Sequence, residues 1–333
     1  QADALRLSTF ILNEANSMEM RLDALWALGY WANPPVLDRV DNYYRPKTNQ
    51  HHRLTDAQIA FEPLFNAFKN NENHAFRASI IKAAGRLKYY KGEEEIFTLL
   101  RKVSANQYVR QEALYALLAM NSKYLPQAIT LSITDKLSSL RRIGLANLSK
   151  VNLNPKKQAQ MLANLIEGDT ELPEKQKAMI ALGSMTQPES EAFLSKYLKL
   201  AFGQSIDPGL HLDIYSAVEN SPFSKLKNQL KSQQKKWANN DFMAYQAALY
   251  GGNTEKGKEI FIRNEAAQCL RCHAVYGRGG VVGPPLEYVA DRLSREDLLS
   301  SLINPNENIA LGYGVIILTL TDGEELSGIL ISE

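Results

Sequence analysis

The residues best placed to do chemistry are Gln268-Cys269-Leu270-Arg271-Cys272-His273, a C-x-x-C-H run holding the only two cysteines of the chain. Two thiols three positions apart can each add to a vinyl group of a haem, and the histidine that follows can bind the iron from one side. One short segment then supplies both covalent anchors and an axial ligand. Three other readings compete: a disulfide or redox pair, a zinc site, and chance. Structural zinc takes four Cys, His or carboxylate ligands, and the other histidines, His51, His52, His74 and His211, lack paired ligand spacing. A redox C-x-x-C is expected within a βαβ unit, whereas the preceding residues read as helix. Haem attachment is therefore the leading expectation, with Cys269 and Cys272 as anchors and His273 as the proximal iron ligand.

The elements that must hold this motif lie on both sides of it. Upstream, Asn253 or Thr254 is an N-cap candidate followed by acid in the first turn and by the apolar pair Ile260-Phe261, which predicts a short amphipathic helix leading into the motif. Downstream comes Gly283-Pro284-Pro285-Leu286, by itself an ordinary turn signal. Taken together these residues resemble class I cytochromes c, whose opening helix carries a glycine and an aromatic residue and whose G-P-x-L segment passes the proximal side of the haem. The resemblance implies that the Pro284 carbonyl accepts the second ring N–H of His273, fixing its tautomer. It also implies that Leu286 packs on the porphyrin and that Phe261 belongs to the same cofactor site.

With 333 residues, 45% apolar and 22% charged, the chain has room for two domains. It contains no run of about 18 uninterrupted apolar residues, so no transmembrane segment is expected. Its start, Gln1-Ala2-Asp3, has neither an initiator Met nor a signal peptide's apolar core, as in a mature or excised piece. Covalent haem is installed on the oxidising side of bacterial membranes, so a periplasmic location is expected, and no thiol is left over to contradict it. The net charge of +2 conceals a split: 7 Lys/Arg against 12 Asp/Glu from residue 252 onward, a net of −5, and 31 against 24 before it, a net of +7. Such a split could help two parts dock or steer a charged redox partner; a chance excess of solvated charge explains it as well.

Residues 1–251 read as a repeat. The pattern basic-x-x-A-apolar-x-A-L-G occurs from Arg21, Arg77, Arg110, Arg141 and Lys175, and more weakly from His211, with steps of 56, 33, 31, 34 and 36 residues. After the long first step this is the period of stacked helix pairs. The small residues let helices approach, Leu, Ile and Met fill the core, and the leading basic residue is expected at the helix start, facing out. The pattern resembles HEAT-like repeats, an α-solenoid whose surfaces hold other proteins. The long step implies a loop insertion over about 32–62, whose Tyr43, Tyr44, His51 and His52 could touch a partner domain or cofactor, although a plain surface loop is the simpler reading. The lysine-rich run Ser224–Trp237 has no aromatic interleaving and reads as a solvated helix, so no nucleic-acid partner is expected. A last helix ends at Gly251-Gly252, where the domain boundary is placed.

Beyond the motif, Leu293–Leu302 reads as a helix capped by Ser294, and two β-rich runs, Val315–Leu320 and Glu325–Ser332, flank Asp322-Gly323 as a hairpin. A hairpin is foreign to a minimal cytochrome c. The whole stretch, C-L-R-C-H-A-V-Y-G-R-G-G-V-V-G-P-P-L through R-L-S-R-E-D-L-L-S-S-L-I-N-P-N-E-N-I-A-L-G-Y to T-D-G-E-E-L-S-G-I-L, resembles the haem-binding C-terminal domain described for Planctomycetes and Verrucomicrobia. In that family a propeller related to sorbosone and glucose dehydrogenases often precedes a HEAT-like array, and the cytochrome comes last. The resemblance covers residues 252–333 strongly and the repeats loosely, and this chain lacks a propeller.

No Met or His follows His273, and the last Met is Met243. The resemblance implies a distal ligand in a segment beyond Glu333, so the cytochrome domain, 252–333, is expected to be cut short. Met243, another solenoid side chain, or an open iron position are the alternatives. No Ser/His/Asp group, phosphate loop or carboxylate pair stands out, and no catalytic residue is assigned. The expected function is a periplasmic electron-transfer module with one covalent haem c, passing electrons from an attached or partner dehydrogenase to an acceptor. The alternative is a HEAT-repeat interaction scaffold whose haem is a sensor or structural.

Overall fold

A computed structural model describes residues 2–37, 41–44 and 52–329. Among these the chain is mainly helical, with eighteen α-helices and four short strands. In chain order they are α1 (Ala2–Leu12), α2 (Met18–Gly29), α3 (Leu54–Ala67), α4 (His74–Arg86), α5 (Glu93–Arg101), α6 (Gln107–Met120), α7 (Leu125–Ile133), α8 (Ser138–Ala146) and α9 (Pro155–Glu167). Then follow α10 (Leu172–Gly183), α11 (Pro188–Phe202), α12 (His211–Asn220), α13 (Ser224–Trp237) and α14 (Asp241–Tyr245). The remainder is α15 (Thr254–Arg263), α16 (Cys269–Cys272), β1 (Ala274–Val275), β2 (Arg278–Gly279), α17 (Val289–Arg292), α18 (Arg295–Ile303), β3 (Val315–Thr319) and β4 (Glu325–Ile329). They divide into two compact units, residues 1–177 and 178–333.

Local chemistry sets many of these boundaries. Side chains of Ser17, Asn73, Asn106, Asn154 and Asn253 accept backbone N–H bonds at the starts of α2, α4, α6, α9 and α15, satisfying donors that a helix start leaves open. Asn121, left-handed at φ 51°, closes α6.

In the first unit α2, α4, α6 and α8 form a row in which each packs on the next, with α1 against α3 and α5 against α7 alongside. Their shared interior is apolar: Leu25, Leu28, Phe61, Leu64, Ile80, Ile81, Leu114 and Leu117 are inaccessible or nearly so, each contributing roughly 1.5–3 kcal/mol. The motif glycine marks where neighbours touch. A Cβ on Gly29 would lie 3.4 Å from Ala83, and one on Gly85 would lie 2.7 Å from the Ala116 backbone. In the second unit, a Cβ on Gly183 would fall 2.6 Å from Ala217. In all three the last place of one motif meets the seventh place of the following copy.

The leading basic residue occupies the fourth position of α2, α4, α6, α8 and α10, and here the expectation of an outward side chain fails. Arg21 and Arg110 are buried, and their Nε atoms donate to the Ile11 and Leu100 carbonyls at 2.7 and 2.9 Å. Arg141 donates to the carbonyls of Asp135 and Lys136 at 2.9 and 2.8 Å and pairs with the buried Glu174 at 2.7 Å. The cause is the preceding helix end, which leaves carbonyls without intrahelical donors; a guanidinium reaching inward satisfies them. Arg110 also makes a bidentate pair with Asp135.

The insertion is shorter than the expected 32–62, since residues 54–62 already belong to α3. Ala57, Ala60, Phe61, Leu64 and Phe65 give that helix a buried stripe at helical spacing, which carries it through Pro63. Before it, Leu37 and Tyr44 form an isolated antiparallel bridge with Tyr43 and Tyr44 exposed, and His52 lies 4.6 Å from the Trp31 ring. His51 lies outside the described residues.

In the second unit α12 packs on α11 and α13, and Phe202, Tyr215 and Trp237 cluster with ring centroids 5.6–6.1 Å apart. Of the lysine-rich α13 only Leu226 and Leu230 are buried. β3 and β4 pair antiparallel from Val315↔Ile329 to Thr319↔Glu325, with Gly323 at φ 86° in the turn.

Candidate functional site

The site is assembled by a chain that doubles back on itself. Asn264 ends α15 and its side chain accepts the N–H groups of Ala266 and Ala267 at 3.0 and 2.8 Å, a tight turn that delivers Gln268 in a left-handed conformation, φ 46°. A single helical turn, α16, then carries Cys269 and Cys272 three positions apart, hence on one side. Both thiols are free, and among the described residues neither sulfur makes a hydrogen bond. His273 leaves the turn in an extended conformation, its N–H bonded to the Cys269 carbonyl at 3.0 Å.

A hairpin of β1 and β2 follows, unforeseen in the sequence. Tyr276 and Gly277 both have positive φ, 49° and 71°, the geometry of a two-residue type I′ connection. It returns the chain across the motif, where Gly280 N–H bonds to the Leu270 carbonyl at 2.9 Å, Gly283 N–H to Cys272 at 2.8 Å and Leu286 N–H to Ala274 at 3.0 Å. Only glycine allows so close a pass. A Cβ on Gly279 would sit 2.3 Å from the His273 carbonyl oxygen, and one on Gly280 only 2.0 Å from that of Arg271. On Gly283 it would meet the imidazole itself, 2.6 Å from Cε1. Gly279 and Gly280 were not singled out at the level of sequence.

The returning strand brings the Pro284 carbonyl oxygen to 2.8 Å from His273 Nδ1. A carbonyl can only accept, so Nδ1 carries the proton and Nε2 is left as the lone-pair nitrogen. Arg292 ties the far end, donating to the Pro285 and Glu287 carbonyls at 3.2 and 3.4 Å. Pro284 thus joins Cys269, Cys272 and His273 directly, and Leu286 joins through its backbone. Half-buried Phe261 sits on α15, which packs against α16.

Two links tie this region to the helices before it within the second unit. Arg295 donates to the Leu249 carbonyl at 2.8 Å and lies 5.7 Å from the Tyr250 ring, while the Tyr250 hydroxyl donates to Glu296 at 3.1 Å. That bond to the Glu296 carboxylate holds the Tyr250 pKa above the usual tyrosine value. α18 itself begins with a capping box in which Ser294 and Asp297 exchange bonds, and the Ser294 hydroxyl, then its N–H, lowers the Asp297 pKa. Met243, on α14, is partly exposed; α14 packs on α18.

A haem can be tested against these residues. From 252 to 328 no described residue is buried, although Ile260, Tyr276, Val281, Tyr288, Leu302 and Ile317 are all large and apolar. Apolar side chains without an interior of their own, two unbonded thiols on one turn and an imidazole with a free Nε2 fit a large apolar group bound through sulfur and nitrogen. Among the described residues no three His, Cys, Asp or Glu side chains converge as ligands of a bare metal ion, and no helix is long and apolar enough to cross a membrane. Compared with known proteins, the chain matches no family model and no curated sequence.

Proposed function

We propose that the chain is a c-type cytochrome electron-transfer module, a HEAT-like solenoid in residues 1–251 carrying a haem-binding domain in residues 252–333. The observation that carries this reading is His273: it follows two free thiols, its Nδ1–H is held by the Pro284 carbonyl at 2.8 Å, and its Nε2 has no partner among the described residues. Cys269 and Cys272 would hold the porphyrin as thioethers and His273 Nε2 would bind the iron, with Leu286 and Phe261 against the ring. When bound, haem supplies an iron that gains and loses one electron.

The protein's own part is orientation. The bond from Nδ1 fixes the tautomer and the plane of the imidazole. Gly283 lies against the imidazole and admits no larger residue, so the backbone itself limits how far the ring can turn. Stacking of α2, α4, α6 and α8 supports the solenoid reading, because α2 meets α4 and α4 meets α6 through equivalent motif places. By resemblance, the donor is a dehydrogenase domain or subunit, the acceptor a second redox protein, and the compartment the periplasm.

Mass spectrometry of protein made with the cytochrome maturation machinery tests the proposal. One haem bound covalently, abolished by Cys269→Ala together with Cys272→Ala, is the expected result. Colourless, correctly exported protein with free or mutually bonded thiols would overturn it.

A further inference from the structure

The seam between α4 and α6 in the first unit holds a groove that the electron-transfer reading does not use. Because Gly85 and Ala116 touch backbone to side chain there, no side chain fills the space above them, and a cavity of about 290 Å³ remains. Its rim carries Lys82, Arg86, Glu112 and Tyr115, with Ala119 at one wall. Lys82 is paired with Glu112 at 3.6 Å. Arg86 differs: its guanidinium lies 3.9 Å over the Tyr30 ring, is half-buried, and makes no hydrogen bond or ion pair among the described residues. Tyr30 is in turn 4.6 Å from Trp26, so aromatic surface continues from the groove across α2.

An arginine held over an aromatic ring is already ordered, and its planar fork matches a carboxylate in two-point geometry. The surroundings favour an acid, since residues 1–251 carry a net +7 and the groove's one carboxylate, Glu112, is shared between two cations, Lys82 at 3.6 Å and Arg86. The cavity is too small for a folded element but admits a side chain or two, and the row from Tyr115 past Arg86 to Trp26 crosses three helices, on the order of 20 Å, the reach of a short extended peptide. We propose that this face is a docking groove for an acidic, aromatic-bearing stretch of a partner protein. Arg86 takes one of its carboxylates, and the adjoining apolar side chain lies on the Gly85–Ala116 floor beside Tyr115.

Fluorescence anisotropy with the full chain and a labelled peptide of alternating Glu and Phe tests this. Saturable binding should weaken about tenfold or more in Arg86→Gln, the loss expected for one charge-assisted pair. Ala119 is exposed, so Ala119→Glu leaves the fold intact and should weaken binding comparably by filling and repelling. Replacing Glu by Gln in the peptide should do the same. No binding by the parent chain, undiminished binding by both variants, equal binding of the Gln peptide, or displacement by acetate at the peptide's own concentration would each overturn the proposal.

Discussion

Substituting Gly280 by alanine asks whether the returning strand is as tightly seated as the geometry requires. Gly280 has no positive φ, so alanine meets no backbone penalty; the conflict is one of space. The new Cβ would lie 2.0 Å from the Arg271 carbonyl oxygen and 2.7 Å from its carbonyl carbon. Both are backbone atoms of the motif, and no rotamer relieves them. Restoring ordinary contact demands a retreat of more than about 1 Å, enough to break Gly280 N–H to Leu270, now 2.9 Å, and to loosen Gly283 N–H to Cys272, now 2.8 Å. Two backbone bonds at about 1 kcal/mol each and overpacking strain of about 1–3 kcal/mol give a loss of about 3–5 kcal/mol. For a region of this size that lowers the melting midpoint by more than about 10 °C. The assay is thermal unfolding of protein carrying the proposed haem, followed at the Soret band, with tryptic cleavage at Arg271 and Arg278 as a haem-independent readout. Gly314→Ala is the control, because its Cβ would meet nothing within 4 Å. A Gly280→Ala midpoint within about 2 °C of the parent, less than 1 kcal/mol on that scale, with unchanged proteolysis, would refute the reasoning.

Other outcomes follow from the helical array and its junction with the site. Asp135→Ala strands Arg110, which is 1% exposed, and should cost about 3–5 kcal/mol in denaturant unfolding, whereas Asp3→Ala, which removes an exposed pair with Arg6, should change stability by less than about 0.5 kcal/mol. Burial pushes the Tyr215 hydroxyl up to about 12, so its contribution is complete below pH 10 and lost as pH climbs through 12; Trp237 fluorescence and helicity should fall together in that interval, and a tyrosine titrating near 10 without loss of helix would contradict this. Arg295→Ala removes the bond to the Leu249 carbonyl, about 1 kcal/mol, and should speed proteolysis around residues 250–253 roughly fivefold. The same site should open at alkaline pH, because Tyr250, whose pKa is raised, donates to Glu296 only while protonated.

What could be read from sequence depended on whether the structural cause had its own letter. Three helix joints were legible because they need small residues, and Gly29, Gly85 and Gly183 occupy them. The direction of Arg21, Arg110 and Arg141 was not legible, because their partners are mainly backbone carbonyls, present in every residue and freed only where the preceding helix stops. α3 carried a clear apolar stripe, yet the loop expected from the long repeat step ran nine residues into it, 54–62. At the site, Cys269, Cys272 and His273 are spelled out by their spacing. The β1–β2 turn was not, since Tyr276 occupies a left-handed position usually filled by Gly, Asn or Asp.

The way the motif is held bears on what it can do. Gly279, Gly280 and Gly283 pack backbone directly on backbone or ring, so the fold around C-x-x-C-H is built almost wholly from N–H and C=O groups. The turn is covered mainly by backbone, and of its reactive atoms only His273 Nδ1 is used in covering it. Both sulfurs are unbonded among the described residues, and His273 gives only Nδ1 to the fold. A cysteine pair serving stability alone would be joined or buried, and a structural histidine would have both nitrogens satisfied. Here the scaffold consumes one nitrogen and leaves two thiols and Nε2, the three atoms that thioether attachment and axial ligation require. A bulkier residue at Gly283 would press on the imidazole, and one at Gly279 or Gly280 on the backbone of His273 or of Arg271 and Cys272, and for that reason the glycines belong to the site as much as the cysteines do.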